Sequence, residues 1–183
     1  MTDGFVEEIF VAFAERGGDA YGERVTQIEH ALQCAALAEE AGASDTLTAA
    51  ALLHDYGHFF EGRGEAAERE RRDARHEAHG AKLLARWFPP EVTKPVALHV
   101  AAKRYLCAAE PGYFEALSPA SRLSLELQGG PFTRSQCARF ERNRFAADAV
   151  ELRRWDDAAK VVGRGVAPLT RYAPLLVRAA AGA

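Results

Sequence analysis

The sequence has few cysteines, no long apolar run and no excess of positive charge, and each shortage excludes a class of protein. The three cysteines (Cys34, Cys107 and Cys137) are far apart and form no CxxC pair, so we expect reduced, mostly packing thiols without a disulfide framework. No apolar run approaches the roughly 20 residues of a membrane span, and the first four residues, MTDG, lack the basic region of a signal peptide. We therefore expect a soluble cytoplasmic protein.

Charge and apolar content narrow the choice further. A formal net charge of -3 gives no global electrostatic case for binding nucleic acid or an anionic membrane. Apolar residues make up 48% of the chain, Ala and Leu dominate them, and β-branched residues are few, which favours helices. At 183 residues the chain is most simply a single domain over 1–183 with a substantial core.

Apolar residues recur at helical spacing along the chain, with no strand alternation, repeat or linker. The pattern predicts helices over 4–16, 25–40, a segment capped by Ser44 or Asp45 that carries His54 and Asp55, 76–88, 90–103, 120–127, a segment starting at Thr133 or Ser135, 146–162, and a last one from about 168. Residues 105–130 are otherwise rich in turn signals. The charged stretch 61–75 is interpreted as a solvated loop or helix face, with a mobile flap as the alternative. The predicted fold is an all-α bundle.

The sequence LLHDYGH (52–58) is the first sign of chemistry. His54 and Asp55 follow a small apolar run, and His54 and His58 are four residues apart, which places them on one face if the segment is helical. Unpaired charge at the end of an apolar helix is destabilising when buried. A bound metal explains these side chains, and so does a capped helix whose histidines are satisfied by hydrogen bonds.

Further histidines and an aspartate on other predicted helices favour the metal. They are His30, His76, His99 and Asp156. One or two such side chains per helix suit a site in the middle of a helical bundle, and imidazole with carboxylate suits iron, manganese or zinc. Together with His54 and Asp55 they are too many for one ion that must also bind substrate. Two metals bridged by Asp55 explain the set better.

This order, H…HD…H…H…D, resembles the HD-domain superfamily, a helical metal-binding fold whose members are mostly phosphohydrolases. Longer segments resemble one branch of it, the organophosphonate-cleaving oxygenases of the PhnZ type. These segments are 21–23 (YGE), 27–33 (QIEHALQ), 54–58 (HDYGH), 76–77 (HE), 80–81 (GA), 99–106 (HVAAKRYL), 111–113 (PGY), 117–118 (LS), 120–121 (AS), 128–130 (QGG) and 155–157 (WDD). The resemblance covers about residues 19–160, where we expect the metal-binding core, and the segments after His99 are more specific than the HD signature.

The resemblance implies a mixed-valence Fe(II)/Fe(III) pair that uses O2 to cleave the C–P bond of a 1-hydroxyphosphonate. It implies one iron bound by His30, His54, Asp55 and Asp156, and another bound by His76 and His99, with Asp55 bridging. The phosphonate would be bound by Lys103, Ser121, Ser124, Gln128 and Arg153. His58 and Lys103 would be the catalytic side chains facing the substrate, and Glu23 would meet a cationic group at its far end.

The substituent on the second carbon of the substrate is left open. In the family, the enzymes for aminohydroxyethylphosphonate carry a tyrosine three residues before this glutamate, where it occupies the iron until substrate displaces it. Here Ala20 holds that place and Tyr21 is displaced by one, so Tyr21 substitutes or the latch is missing. The candidate substrates are 2-amino-1-hydroxyethylphosphonate, its N-trimethyl analogue and hydroxymethylphosphonate. The products would be phosphate and a carboxylate such as glycine or glycine betaine.

Two other function classes also fit parts of the sequence. An HD-type phosphohydrolase acting on a nucleotide or phosphoester would need no O2, but it has no reason to share the segment 103–128. A helical binding module that has lost its metals would sense a phosphonate or nucleotide, although the presence of all the predicted ligands argues against it. The expected partner is a small organophosphonate, with no nucleic acid and no membrane, and the oligomeric state is open.

Overall fold

The protein is described here from a computed structural model, which covers residues 4–19, 25–60 and 75–181. The helices are α1 (Gly4–Arg16), α2 (Gln27–Glu40), α3 (Asp45–Leu53), α4 (His76–Leu84), α5 (Pro90–Ala109), α6 (Tyr113–Ala116), α7 (Pro119–Leu127), α8 (Arg134–Glu141), α9 (Ala146–Ala158) and α10 (Ala173–Ala181), with 3-10 turns at Tyr56–Phe59 and Leu169–Tyr172. Across these ranges there is no β-strand, and the predicted all-α fold is confirmed. Among the described helices, none has both the length and the apolar character needed to cross a membrane.

Side-chain caps fix where several helices begin. Thr26 and Glu29 form a capping box, so α2 begins at Gln27 and not at the predicted residue 25. Ser44 accepts a hydrogen bond from the Leu47 amide and starts α3, which decides between the two predicted caps. Thr133 starts α8 in the same way, with a second capping box. The signals for these starts were therefore local and present in the sequence.

The predicted helical placement of His54 and Asp55 is wrong. Helix α3 ends at Leu53, His54 is its C-cap, and the chain turns at Asp55 into the 3-10 turn that contains His58. His54 and His58 therefore do not share a face of one helix. The physical reason is a close approach at Gly57, where a Cβ would lie 2.1 Å from the carbonyl oxygen of His76. The turn brings this segment against α4, which a continued helix would not do.

Three other helix ends differ from the prediction. Helix α5 continues six residues beyond 103 to Ala109, so 105–109 are helical and not turn-rich, and the chain turns only near Gly112, whose φ is +83°. Helix α4 ends at Leu84, before the predicted stop at residue 88. Helix α9 ends at Ala158 and not at 162, because the backbone of the next residues is bound to α2 by hydrogen bonds described below.

Helix α3 lies at the centre of the bundle. It packs against α2, α5, α9 and α10, and Ala49, Ala50 and Ala51 are completely buried. Such small side chains let neighbouring helices approach closely. Because α3 ends in the interior, the side chains that follow it are delivered to the middle of the protein. A second apolar cluster, formed by Ala102, Phe140, Ala146 and Ala149, joins α5, α8 and α9.

Candidate metal centre

The six predicted metal ligands converge at the inner end of α3. They are His30 on α2, His54 and Asp55 after α3, His76 on α4, His99 on α5 and Asp156 on α9, and all are at least 91% buried. Their donor atoms divide into two groups that meet at Asp55. We call these the four-donor group (His30, His54, Asp156 and Oδ2 of Asp55) and the three-donor group (His76, His99 and Oδ1 of Asp55).

In the four-donor group the ring nitrogens and carboxylate oxygens face one another. Nε2 of His30 lies 3.2 Å from Nε2 of His54 and 3.3 Å from Oδ1 of Asp156. Oδ2 of Asp55 lies 3.3 Å from Nε2 of His54. Both of these carboxylate oxygens are buried, and no described residue donates a hydrogen bond to them. Ligands at about 2.1 Å from one ion are separated by distances close to these.

The three-donor group repeats the arrangement on the other side of Asp55. Nε2 of His76 lies 3.1 Å from Nε2 of His99, and Oδ1 of Asp55 lies 3.3 Å from the former and 3.7 Å from the latter. One carboxylate therefore presents a different oxygen to each group. Asp55 could therefore offer a ligand atom to an ion in each group.

Backbone carbonyls set the orientation of three of the four imidazoles. Nδ1 of His30, His54 and His99 lies 2.8, 2.9 and 2.8 Å from the carbonyl oxygens of Ala159, Ala51 and Val96. Each Nδ1 therefore carries the proton and donates it, which leaves the Nε2 lone pair directed into the centre, as in most histidine metal ligands. His76 differs, because its Nδ1 faces the carboxylate of Glu77 at 3.8 Å.

The electrostatics of the site call for a cation. Burial raises the pKa of Asp55, but His54 and His76 outweigh burial and hold that pKa well below its usual value. Burial also raises the pKa of Asp156, and Arg153 reverses the effect. Burial lowers the pKa of His54, yet Asp55 raises it to about 9. Both carboxylates are thus ionised, and they stabilise positive charge at the facing Nε2 atoms, whether a proton or a metal supplies it.

Nitrogen and oxygen donors of this kind fit iron, manganese or zinc. The sequence predicts only a packing thiol at Cys34, but its Sγ lies 3.7 Å from Nε2 of His30 and close to His54. Burial raises the pKa of Cys34 well above its usual value, which favours the neutral thiol as long as no metal is bound there. Its spacing of four residues from His30 on α2 was the signal that could have placed it there.

His58 lies beside the three-donor group and not within it. Its ring stacks on that of His76, with centroids 4.0 Å apart, and its Nε2 is 3.9 Å from Oδ1 of Asp55. Burial, reinforced by His76, lowers the pKa of His58 to about 3, so the ring is neutral. A neutral imidazole at this place can accept or donate a hydrogen bond next to a bound substrate.

Lys103 lies one helical turn after His99 on α5. It is 3% exposed, and its Nζ donates to Oγ of Ser124 at 2.7 Å, while that hydroxyl donates to the Ser121 carbonyl. Burial lowers the pKa of Lys103 to about 7, and Arg153 adds to the effect. Burial lowers the pKa of His76 and Asp55 raises it above its usual value, while Lys103 opposes that rise. The ammonium group is therefore within electrostatic range of the three-donor group.

Arg153 connects the metal ligands to these polar residues. Its Nη1 donates to Oδ2 of Asp156 at 2.6 Å, and its Nη2 approaches Oγ of Ser121 at 3.5 Å. The remaining donors bind Asp157 and the hydroxyl of Tyr113, and that hydroxyl also donates to Asp157. Arg153 thus fixes Asp156 so that Oδ1 faces the histidines. The PGY and WDD motifs are part of the family resemblance, but no role was predicted for Tyr113 or Asp157.

Of the remaining predicted substrate contacts, only Gln128 is among the described residues. Gln128 follows α7 and is half-buried, and its Oε1 accepts no hydrogen bond from the described residues. Tyr21, Glu23 and Ala20 lie outside the described residues, as does most of the charged stretch 61–75. The structure therefore brings together Lys103, Ser121, Ser124 and Arg153 around the metal centre, without a described contact that joins Gln128 to them.

Known proteins are similar to this chain over most of its length. The model of the family described as HD domain matches residues 28–129. The hydroxymethylphosphonate dioxygenase of Gimesia maris is 48% identical over 168 residues, 91% of this chain and 84% of the relative. A glycine-betaine-forming dioxygenase of 1-hydroxy-2-(trimethylamino)ethylphosphonate from Leisingera caerulea is 42% identical over 174 residues, 94% and 89% of the two chains. An uncharacterized protein of Acanthamoeba polyphaga mimivirus is 31% identical over 94% of this chain and 80% of its own length.

Proposed function

The chain belongs to the HD-domain family and, within it, to the branch of phosphonate dioxygenases, and from that premise we propose that it cleaves the C–P bond of a small 1-hydroxyphosphonate with O2. With hydroxymethylphosphonate, the reaction would consume one O2 and give formate, phosphate and a proton. With the amino or trimethylammonium homologue, the carboxylate product would be glycine or glycine betaine. The proposal rests above all on two buried oxygens, one each of Asp55 and Asp156, which face histidine Nε2 atoms and accept no hydrogen bond from the described residues.

Two iron ions fit the two donor groups. One would be held by His30, His54, Asp55 and Asp156, and the other by His76, His99 and Asp55. A mixed-valence Fe(II)/Fe(III) pair supplies the redox chemistry with O2 that no protein side chain here provides. The buried side chains would hold both ions away from bulk water, with the carboxylate of Asp55 offering one oxygen to each donor group.

The polar residues beyond the metals suit a phosphonate dianion. Lys103, Arg153 and the hydroxyls of Ser121 and Ser124 lie together on the α5, α7 and α9 side of the centre. Burial is the main cause of the lowered pKa of Lys103 and the nearby guanidinium of Arg153 lowers it further, so a dianion bound beside both groups would relieve their repulsion. Lys103 would bind and orient the phosphonate, and the neutral ring of His58 would accept a hydrogen bond from the substrate hydroxyl.

The relatives differ in the substrate named for each. One acts on hydroxymethylphosphonate and another on a trimethylammonium homologue. The higher identity is to the former, at 48% against 42%. Hydroxymethylphosphonate is therefore the first substrate to test. In this proposal Glu23 favours a cationic substituent where one is present, and Tyr21 is the residue to test as a latch.

A substrate panel tests the proposal directly. Protein loaded with Fe(II) is given hydroxymethylphosphonate, 2-amino-1-hydroxyethylphosphonate and its N-trimethyl analogue, in air and under argon. We expect phosphate release only in air, with one O2 consumed per phosphate. Equal release under argon, or release only from phosphoesters with Mn(II) or Co(II), would show a phosphohydrolase instead. An iron content near zero after expression with ample iron would favour the metal-free binding module.

A further inference from the structure

Three consecutive residues after α9 contact both sides of the site. The carbonyl of Ala159 accepts from Nδ1 of His30 at 2.8 Å. Nζ of Lys160 donates to Oγ of Ser121 at 3.2 Å. The backbone of Val161 forms two hydrogen bonds with the side-chain amide of Gln33, at 2.9 and 3.0 Å. A metal ligand and a substrate-facing serine are thus both bound by one short segment, which Gln33 ties to α2.

Gln33 is a buried polar residue whose side-chain amide is bound by the backbone of Val161. It lies on α2 one turn after His30 and is 1% exposed. A buried amide is destabilising unless its donor and acceptor are both used, and here the carbonyl oxygen and an N–H of Gln33 are both used by the backbone of one residue, Val161. Ala159 is completely buried in the main apolar core, whereas the Val161 side chain is 50% exposed. At Val161, therefore, the two hydrogen bonds to Gln33 hold the backbone, and apolar packing holds it only at Ala159.

Lys160 adds a third cation to the polar side of the site. Lys103 donates to the hydroxyl of Ser124, whereas Arg153 and Lys160 donate to the hydroxyl of Ser121. Burial is the main cause that lowers the pKa of Lys103, and Lys160 lowers it further, so the two ammonium groups are close enough to repel. Arg153 is already paired with Asp156 and Asp157, so a dianion bound at these hydroxyls would be stabilised chiefly by Lys103 and Lys160.

The hydroxyl of Ser121 shows where that ligand would bind. Its oxygen accepts from Lys160 and, at longer distance, from Arg153. With both lone pairs engaged, the hydroxyl proton is left to donate, and no described residue accepts it. An anionic oxygen placed there would meet Lys160 and Ser121 together.

We propose that Lys160 is a further phosphonate-binding residue, and that Gln33 is the positioning residue that fixes Lys160 and the metal ligand His30 together through the segment 159–161. This inference rests on the proposed function. It predicts two distinct signatures: loss of Lys160 weakens substrate binding alone, whereas loss of Gln33 weakens both substrate binding and metal binding.

The Lys160 arm of the test uses Lys160→Gln, Lys160→Arg and, as a matched charge control, Lys94→Gln at an exposed position of α5. We expect Lys160→Gln to raise KM for hydroxymethylphosphonate about tenfold or more, with a smaller change in kcat and unchanged iron content. Lys160→Arg should restore much of the loss, and Lys94→Gln should match the wild type. Calorimetric binding of hydroxymethylphosphonate to the iron-loaded protein under argon should weaken in parallel.

The Gln33 arm uses Gln33→Leu and Gln33→Glu, with Val162→Ala, 62% exposed, as the control on the neighbouring surface. Gln33→Glu keeps the acceptor for the Val161 amide and loses the donor, so it should lie between wild type and Gln33→Leu. We expect Gln33→Leu to raise KM and also to release iron at lower chelator concentration. A lowered unfolding temperature with unchanged KM and iron retention would overturn the positioning role.

The outcomes separate this inference from the proposed function. If wild-type protein releases phosphate in air while Lys160→Gln binds and turns over hydroxymethylphosphonate normally, the inference fails and the function stands. If wild-type protein releases no phosphate but its binding of hydroxymethylphosphonate still depends on Lys160, the function fails and the anion-binding role of Lys160 stands.

Discussion

The two halves of the metal centre share one carboxylate and are supported in different ways. In the four-donor group, His30 and His54 are completely buried and each is held by a backbone carbonyl, while Arg153 holds Asp156. In the three-donor group, His76 is 9% exposed and has no carbonyl partner for its Nδ1 among the described residues. Its ring stacks instead on His58, whose side chain is 22% exposed.

This difference indicates that the two donor groups have different functions. Structural metal sites are closed by protein ligands, whereas catalytic sites keep positions for water or substrate. The four-donor group has more protein ligands and a rigid support, so we expect it to bind its ion more tightly. The three-donor group has fewer ligands and adjoins His58 and Lys103, so we expect the substrate to bind on that side.

The largest effect is expected from substituting Asp55, the carboxylate that the two donor groups share. Asp55→Ala should release both metal ions and lower kcat/KM about a thousandfold or more, because each group loses its carboxylate at once. The isosteric Asp55→Asn tests whether charge, and not volume, is responsible. Metal analysis and phosphate release provide the measurement, and Glu151→Gln on the exposed face of α9 is the control. One ion retained in full by Asp55→Ala would show that Asp55 does not bridge.

The polar side of the three-donor group can be tested through pH. Only the ammonium form of Lys103 attracts a dianion, and burial lowers its pKa to about 7. Since kcat/KM reports ionisations of the free enzyme, it should be highest below pH 7 and fall above it by up to about tenfold per pH unit. Lys103→Arg should remove this decline because guanidinium stays charged.

Lys103→Ala gives the complementary result. We expect a higher KM with both ions still bound, since Lys103 is not a metal ligand. Unchanged KM in Lys103→Ala would remove Lys103 from the site. A wild-type profile that stays flat from pH 6 to pH 9 would also contradict the assignment.

Much of this fold follows from local sequence signals. Apolar periodicity predicted the order of the main helices, and Ser44 and Thr133 were predicted caps that the structure uses. The ends that were wrong depend on contacts between distant segments. The chain leaves α3 at His54 because Gly57 packs on His76, and α9 ends at Ala158 where hydrogen bonds to α2 begin. Such contacts leave no trace in a local pattern.

The site shows the same limit. Residue type and order brought out the six candidate ligands, since His and Asp side chains recur one or two per helix. Gln33 and Lys160 were not singled out, because their contacts cross 128 and 39 residues of sequence. Glutamine and lysine are both common on the exposed faces and at the ends of helices. Their residue types alone therefore carry little information about a buried or functional role.

The smallest expected effect comes from substituting Glu77, whose carboxylate faces Nδ1 of His76. Oε2 of Glu77 lies 3.8 Å from Nδ1 of His76, beyond hydrogen-bond distance, and accepts no hydrogen bond from the described residues. Partners that hold a ligating histidine directly usually change metal affinity about 10–100-fold when removed. We expect Glu77→Gln to weaken metal binding at the three-donor group by less than about tenfold and to leave the four-donor group unchanged, as measured by chelator competition.

A hundredfold loss in Glu77→Gln would mean that Glu77 holds His76 as firmly as the carbonyls hold the other three imidazoles. The two halves would then be equally supported, and the argument for substrate binding beside His76 would rest on ligand number alone. A small loss confined to the three-donor group leaves His76 as the least constrained ligand. Its neighbour His58 can then move with it when a substrate binds, which a ring fixed to the backbone could not allow.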